Sequence, residues 1–120
     1  MGKTYLVARL VLAASLFSAA AADAQARAKT CYTNFSGGGC PWKQLIPARE
    51  LNAVTCDELA EIRNRILHEN GFCFKDPVLK ARYDNNRGCR LPSELFLPLN
   101  RTERRNLSAI RRTEKAKQCT

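Results

Sequence analysis

The 120-residue chain has one histidine, one methionine and no Cys-x-x-Cys pair. These shortages exclude a good deal of chemistry. Hydrolytic triads, paired-histidine nuclease chemistry and histidine-bearing metal sites are all short of imidazole. The single histidine, His68, is expected on the solvated face of its helix. Zinc-finger and thioredoxin-like redox sites lack their cysteine spacing. A membrane span needs about 20 apolar residues, and the uncharged stretch Leu10–Ala22 is only 13 long. The glycine run Ser36-Gly-Gly-Gly39 has no strand before it and no Lys-Ser/Thr after it, so it is a turn and not a phosphate cradle. Acid is scarce too: 11 Asp+Glu stand against 20 Lys+Arg, for a net charge of +9. The length admits one small domain and excludes a multidomain enzyme.

What is present begins with a leader. Lys3 and Arg9 precede the apolar stretch, and Ala22-Asp23-Ala24 supplies a small-x-small end, the form of a secretory signal peptide over residues 1–24. Cleavage after Ala24 leaves a mature chain of about 96 residues and about +8, with no transmembrane segment. Export sends the six cysteines (Cys31, Cys40, Cys56, Cys73, Cys89 and Cys119) into an oxidising compartment. Their even number predicts structural disulfides, of which fifteen pairings are possible. No metal and no cofactor is expected.

The mature chain is predicted to be mainly α: a small disulfide-stapled domain of three helices, about 56–70, 77–85 and 101–117, behind a loop-rich N-terminal arm, 25–54. Thr55-Cys-Asp-Glu58 is a capping box, Leu59, Ile62 and Ile66 recur on one face with Leu67 beside them, and Asn70-Gly71 supplies a stop. Phe72 and Phe74 alternate in an extended connector, with both rings on one side. Asp76-Pro77 opens the second helix as cap and first-turn proline, and Asn85-Asn-Arg-Gly88 ends it. Asn100 with Glu103 opens the last helix as a second capping box. Carboxylate pairs such as Asp57 with Glu61, or Glu58 with Glu61, sit where cap and helix dipole account for them, so they make no case for a hydrolase.

Two features concern function. At 100° per residue, Arg101, Arg104, Arg105, Arg111, Arg112 and Lys115 fall within an arc of roughly 120°, opposite a thin apolar face of Leu107, Ile110 and flanking Leu99. This basic stripe is either a solvated face or an anion-binding surface for Arg–anion forks. The second feature is Arg63, which projects inside the apolar stripe of the first helix. An unpaired charge there costs several kcal/mol, so a carboxylate partner is expected, and Glu103 and Glu114 are the candidates. An anion-binding arginine at a pocket floor is the competing reading.

The stretch from Cys56 to Pro77, with Arg63-Asn64, Gly71, Phe72, Phe74 and Lys75 at its centre, and the Pro98–Glu103 helix start resemble the YARHG domain. That domain is a small exported bacterial module named after a central five-residue motif. Here the motif reads Leu67-His68-Glu69-Asn70-Gly71 and keeps only the glycine. The resemblance covers 55–119, and Cys56, Cys73, Cys89, Cys119 and Asn86-Arg-Gly-Cys-Arg90 are similar to the cysteine-rich proteobacterial form. It implies a periplasmic or secreted setting and no known catalytic centre. Within that frame Cys73 pairs with Cys89 at two helix exits, and Cys56 pairs with Cys119 if the first and last helices pack antiparallel. Cys31 with Cys40 remains as the local pair. Asn-x-Ser/Thr sequons at Asn34, Asn100 and Asn106 carry no meaning in such a setting, and Asn100 has its own use as a cap.

The resulting expectation is a non-enzymatic envelope protein whose basic helix holds an anionic envelope glycan or lipid headgroup. The alternative is a subunit or inhibitor docking on an acidic protein partner. Nucleic acid is disfavoured by compartment and by the absence of stacking aromatics near the stripe.

Overall fold

The computed structural model describes residues 29, 31, 39–83 and 88–120. The expected leader (1–24), the sequon at Asn34 and most of the Asn85-Asn-Arg-Gly88 helix stop lie outside the described residues. Four α-helices are present among them: α1 (Ala48–Ala53), α2 (Cys56–Glu69), α3 (Pro77–Arg82) and α4 (Arg101–Ala116), with a 3-10 turn at Glu94–Phe96. The domain is mainly α, and among the described residues the one β feature is an isolated parallel bridge between Phe72 and Leu91.

The caps lie where the sequence puts them. The Thr55 N–H donates to Glu58 Oε2 at 2.7 Å and the Glu58 N–H returns to Thr55 Oγ1 at 3.2 Å, closing the box that starts α2. These bonds hold the Glu58 carboxyl below its ordinary range, the Thr55 backbone donor contributing most. α2 ends in a Schellman turn: the Gly71 N–H donates to the His68 carbonyl at 2.9 Å and the Phe72 N–H to that of Leu67 at 3.1 Å. Gly71 has φ +89, a conformation that side chains with a Cβ rarely adopt. Its carbonyl then accepts from the N–H groups of both Arg90 and Leu91. The one motif glycine retained in this chain therefore stops a helix and docks the segment leading to the 3-10 turn.

The arm carries one helix that its loop-rich expectation does not include. Pro47 caps a six-residue helix, α1, whose Leu51 is fully buried and which packs on α4. Ala-Arg-Glu-Leu-Asn-Ala buries one apolar side chain, so no periodicity announces it. The tertiary contact makes this helix, since six residues are too few to be stable alone. α3 stops at Arg82, with Tyr83 as its C-cap.

Leu59, Ile62, Ile66 and Leu67 of α2 meet Leu107 and Ile110 of α4 in one core, closed by Leu51, Phe74, Tyr83 and Leu97. Phe72 and Phe74 meet edge to face at 5.1 Å, and Phe74 stacks on Tyr83 at 5.1 Å. The pairing of α2 and α4 is antiparallel: Cys56 at the start of α2 is bonded to Cys119 beyond the end of α4, and Asn70 at the end of α2 reaches Glu103 in the first turn of α4. Cys31–Cys40 and Cys73–Cys89 complete three disulfides, and no cysteine is free.

Candidate anion-binding face

α4 has two acidic residues and six basic ones, and the fold sorts them by side. Both acids point inward. Glu103 is fully buried: Oε1 accepts from Lys29 Nζ at 2.7 Å and from Asn70 Nδ2 at 3.1 Å, and Oε2 accepts from the Asn100 N–H at 2.8 Å. One side chain thus caps its own helix, holds the C-cap of α2 and neutralises a lysine of the arm. Glu114 accepts from Arg63 at 2.5 Å, with side-chain exposures of 11% and 29%. Arg63 therefore pairs with Glu114 and not with Glu103. The antiparallel register sets Arg63 against the second half of α4, while Glu103 lies level with the end of α2.

The cations remain outside. Arg101, Arg104, Arg105, Arg111, Arg112 and Lys115 are all exposed. Arg104 Nε donates to the Leu99 carbonyl at 3.1 Å, and Arg112 donates to Ser108 Oγ, one turn back, at 2.7 Å. Arg111 is paired with Glu94 of the 3-10 turn. Among the described residues, Arg101, Arg105 and Lys115 have no carboxylate partner. Two open grooves flank the stripe and share Arg104, Ser108 and Arg112. One is bounded by Leu45 and Ile46 of the arm, the other by Glu94, Leu95 and Leu99.

A second polar cluster lies on α2 and α3. The Tyr83 hydroxyl donates to Glu61 Oε2 at 3.0 Å, and Arg82 meets the same oxygen at 2.7 Å. Burial, reinforced by the bond to Glu61, pushes the Tyr83 phenol up to about 12. His68 is half-buried, its ring 5.2 Å from that of Tyr83. The expected solvated face of α2 is therefore covered at this point, because the end of α3 folds over it. Glu58 and Glu61, the carboxylates nearest to an acid–base pair, are held by a cap and by Tyr83 with Arg82. Among the described residues no group of three or more His, Cys, Asp and Glu could hold a metal ion.

Two side chains that shape the face gave no sequence signal of their role. Asn106 is fully buried in α4: Oδ1 accepts from the Ile46 N–H at 2.9 Å, while Nδ2 donates to the carbonyls of Pro41 and Gln44 at 2.7 and 2.8 Å. It ties the arm to the helix and fixes the wall of one groove. Its sequon is inaccessible for that reason. Lys29 is the other, an arm residue whose partner lies 74 positions away.

The chain is thus a small, disulfide-stapled helical domain with one cationic face. Family models identify it further: residues 42–115 match the YARHG domain, and the chain belongs to that family of small bacterial extracellular domains. The match starts at Trp42, upstream of the resemblance read from Thr55, and the added stretch includes the partners of Asn106 at Gln44 and Ile46 and the Trp42 carbonyl, which accepts from Asn100 Nδ2 at 2.8 Å. Comparison with curated proteins and with solved structures gives no match. Family and disulfides fit an exported protein, and no helix among the described residues is long and apolar enough to cross a membrane.

Proposed function

We propose that this chain is a non-enzymatic domain of the bacterial envelope that binds an anionic envelope component through the outer face of α4. One observation carries the reading. The helix turns both of its carboxylates into the core, where Lys29 and Arg63 neutralise them, and presents its cations to solvent. Clustered like charges repel and add nothing to stability, whereas the same cluster raises the local concentration of a polyanion. Guanidinium groups suit phosphate and carboxylate because their fork matches both geometries. The non-enzymatic part of the reading rests on the single histidine, which packs against Tyr83, and on carboxylates already engaged in caps and ion pairs.

The test is a titration of the oxidised chain with a soluble polyanion, such as polyphosphate, at several salt concentrations. Binding should weaken at least about tenfold between ~0.01 M and ~0.15 M salt, as the Debye length falls from about 30 to about 8 Å. Reversing Arg104, Arg105, Arg111 and Arg112 to Glu should abolish it. Binding that ignores both salt and reversal, or no binding by the parent chain at low salt, refutes the proposal.

A further inference from the structure

The stripe has apolar neighbours. Leu95 and Phe96, in the 3-10 turn, are 87% and 73% exposed, the two most exposed large apolar side chains among the described residues. Leu95 lines the groove that also holds Arg104, Arg111, Arg112 and Lys115. On the other side of α4, Leu45 is exposed as well and lines the groove with Arg104, Arg105 and Arg112. A ridge of cations is therefore bordered on both flanks by apolar side chains presented to water.

That order discriminates between occupants. A protein interface has an apolar centre depleted of charge and a polar rim, and here the centre is charged and the rim apolar. A soluble polyanion would satisfy the cations and leave Leu95 and Phe96 in water. A bilayer of anionic phospholipid matches both parts, with phosphates at the level of the cations and acyl boundary just below them for short apolar side chains. Tethering holds the wedge in place: the Arg111–Glu94 ion pair fixes the turn to α4, and Ser93 caps it by accepting from the Leu95 N–H at 3.3 Å.

We infer that this face docks on an anionic phospholipid surface, the cations of α4 meeting headgroup phosphates while Leu95 and Phe96, with Leu45 opposite, enter the interfacial layer. The inference rests on the anion-binding reading above and names its ligand. It is tested by co-sedimentation of the oxidised full chain with vesicles of phosphatidylglycerol and phosphatidylethanolamine, with phosphatidylcholine vesicles and soluble polyphosphate alongside. The parent chain should bind the anionic vesicles and not the neutral ones. The variant Leu95→Ser with Phe96→Ser should bind anionic vesicles at least about tenfold more weakly and polyphosphate as before. Arg104→Glu with Arg112→Glu should lose both. Val78→Ser, which removes an exposed apolar side chain of α3, outside both the grooves and the 3-10 turn, should change neither. Both serine variants alter exposed positions, and an unchanged thermal midpoint confirms that they fold.

Vesicle binding that survives Leu95→Ser with Phe96→Ser overturns the inference. Polyphosphate binding without vesicle binding overturns it too, and leaves the stripe to a soluble polyanion or an acidic protein. Failure to bind either probe overturns the anion-binding reading itself.

Discussion

Arg63 and Glu114 join the two long helices at the edge of the core, and their unequal burial predicts unequal consequences. Replacing Arg63 by Met leaves a carboxylate of 11% exposure without its cation. Removal of one partner from a buried pair costs about 3 kcal/mol. Replacing Glu114 by Leu leaves an arginine of 29% exposure, whose long stem carries the guanidinium to water, and the cost falls to about 1–2 kcal/mol. Changing both removes the desolvation of two charges and replaces them with apolar volume, which leaves the double variant within about 1 kcal/mol of the parent. The double-mutant cycle thus has an interaction energy of at least about 3 kcal/mol. For a domain of this size each kcal/mol moves the thermal midpoint by about 4–8 °C, so R63M should melt at least about 10 °C below the parent and R63M/E114L well above R63M. Urea unfolding of the oxidised protein gives the same ranking in free energy. Additive costs, or a double variant less stable than R63M, would refute the assignment of this pair as a buried, mutually dependent one.

Three further outcomes are expected. Disulfide removal should follow loop length: serine at Cys56 and Cys119, which are 63 positions apart, costs about 4 kcal/mol against about 3 for the Cys73–Cys89 pair at 16; an inverted order in denaturant midpoints would contradict it. Asn106→Ala strands the Ile46 N–H and the carbonyls of Pro41 and Gln44, for a loss of about 2–4 kcal/mol, and amide exchange should rise in residues 42–46 before it rises in α2. Tyr83 favours its neutral form when folded, since its pKa of about 12 lies above the ordinary 10. Its contribution is complete below pH 10 and is lost as the pH rises through 12, so absorbance titration of the phenol should show a delayed step, and Tyr83→Phe should flatten the alkaline fall in stability between those limits.

How far the molecule was legible depended on whether its signals were local. Thr55 with Glu58, and Asn100 with Glu103, satisfy their own helix starts within four residues, so both long helices were readable. Asn70-Gly71 stops α2 by a conformation that glycine alone favours, and it too was readable. The stripe followed from 3.6-residue periodicity. What failed was long in range. α1 exists because Leu51 finds the core through α4. Asn106 looks like any polar residue until three backbone groups of the arm converge on it. Arg63 advertised its need for a carboxylate through its place among apolar residues, but the choice of Glu114 over Glu103 came from helix register, which the chain sets only once folded. His68 faces solvent on the helical wheel yet is half-covered, because the cover over α2 comes from Tyr83, fifteen residues further along.

The bond between Cys56 and Cys119 closes α2, α3, the 3-10 turn and α4 into a covalent ring. A ring survives one cut. A protease that severs the backbone once between those cysteines, at the exposed Leu95-Phe96 turn for instance, produces no separate fragments, and Glu103 and Arg63 still hold the halves in register. Release takes a second cut or a reductant. In a protease-rich setting outside the cytoplasm, such a molecule stays whole in mass and shape after damage that would dismember an open chain.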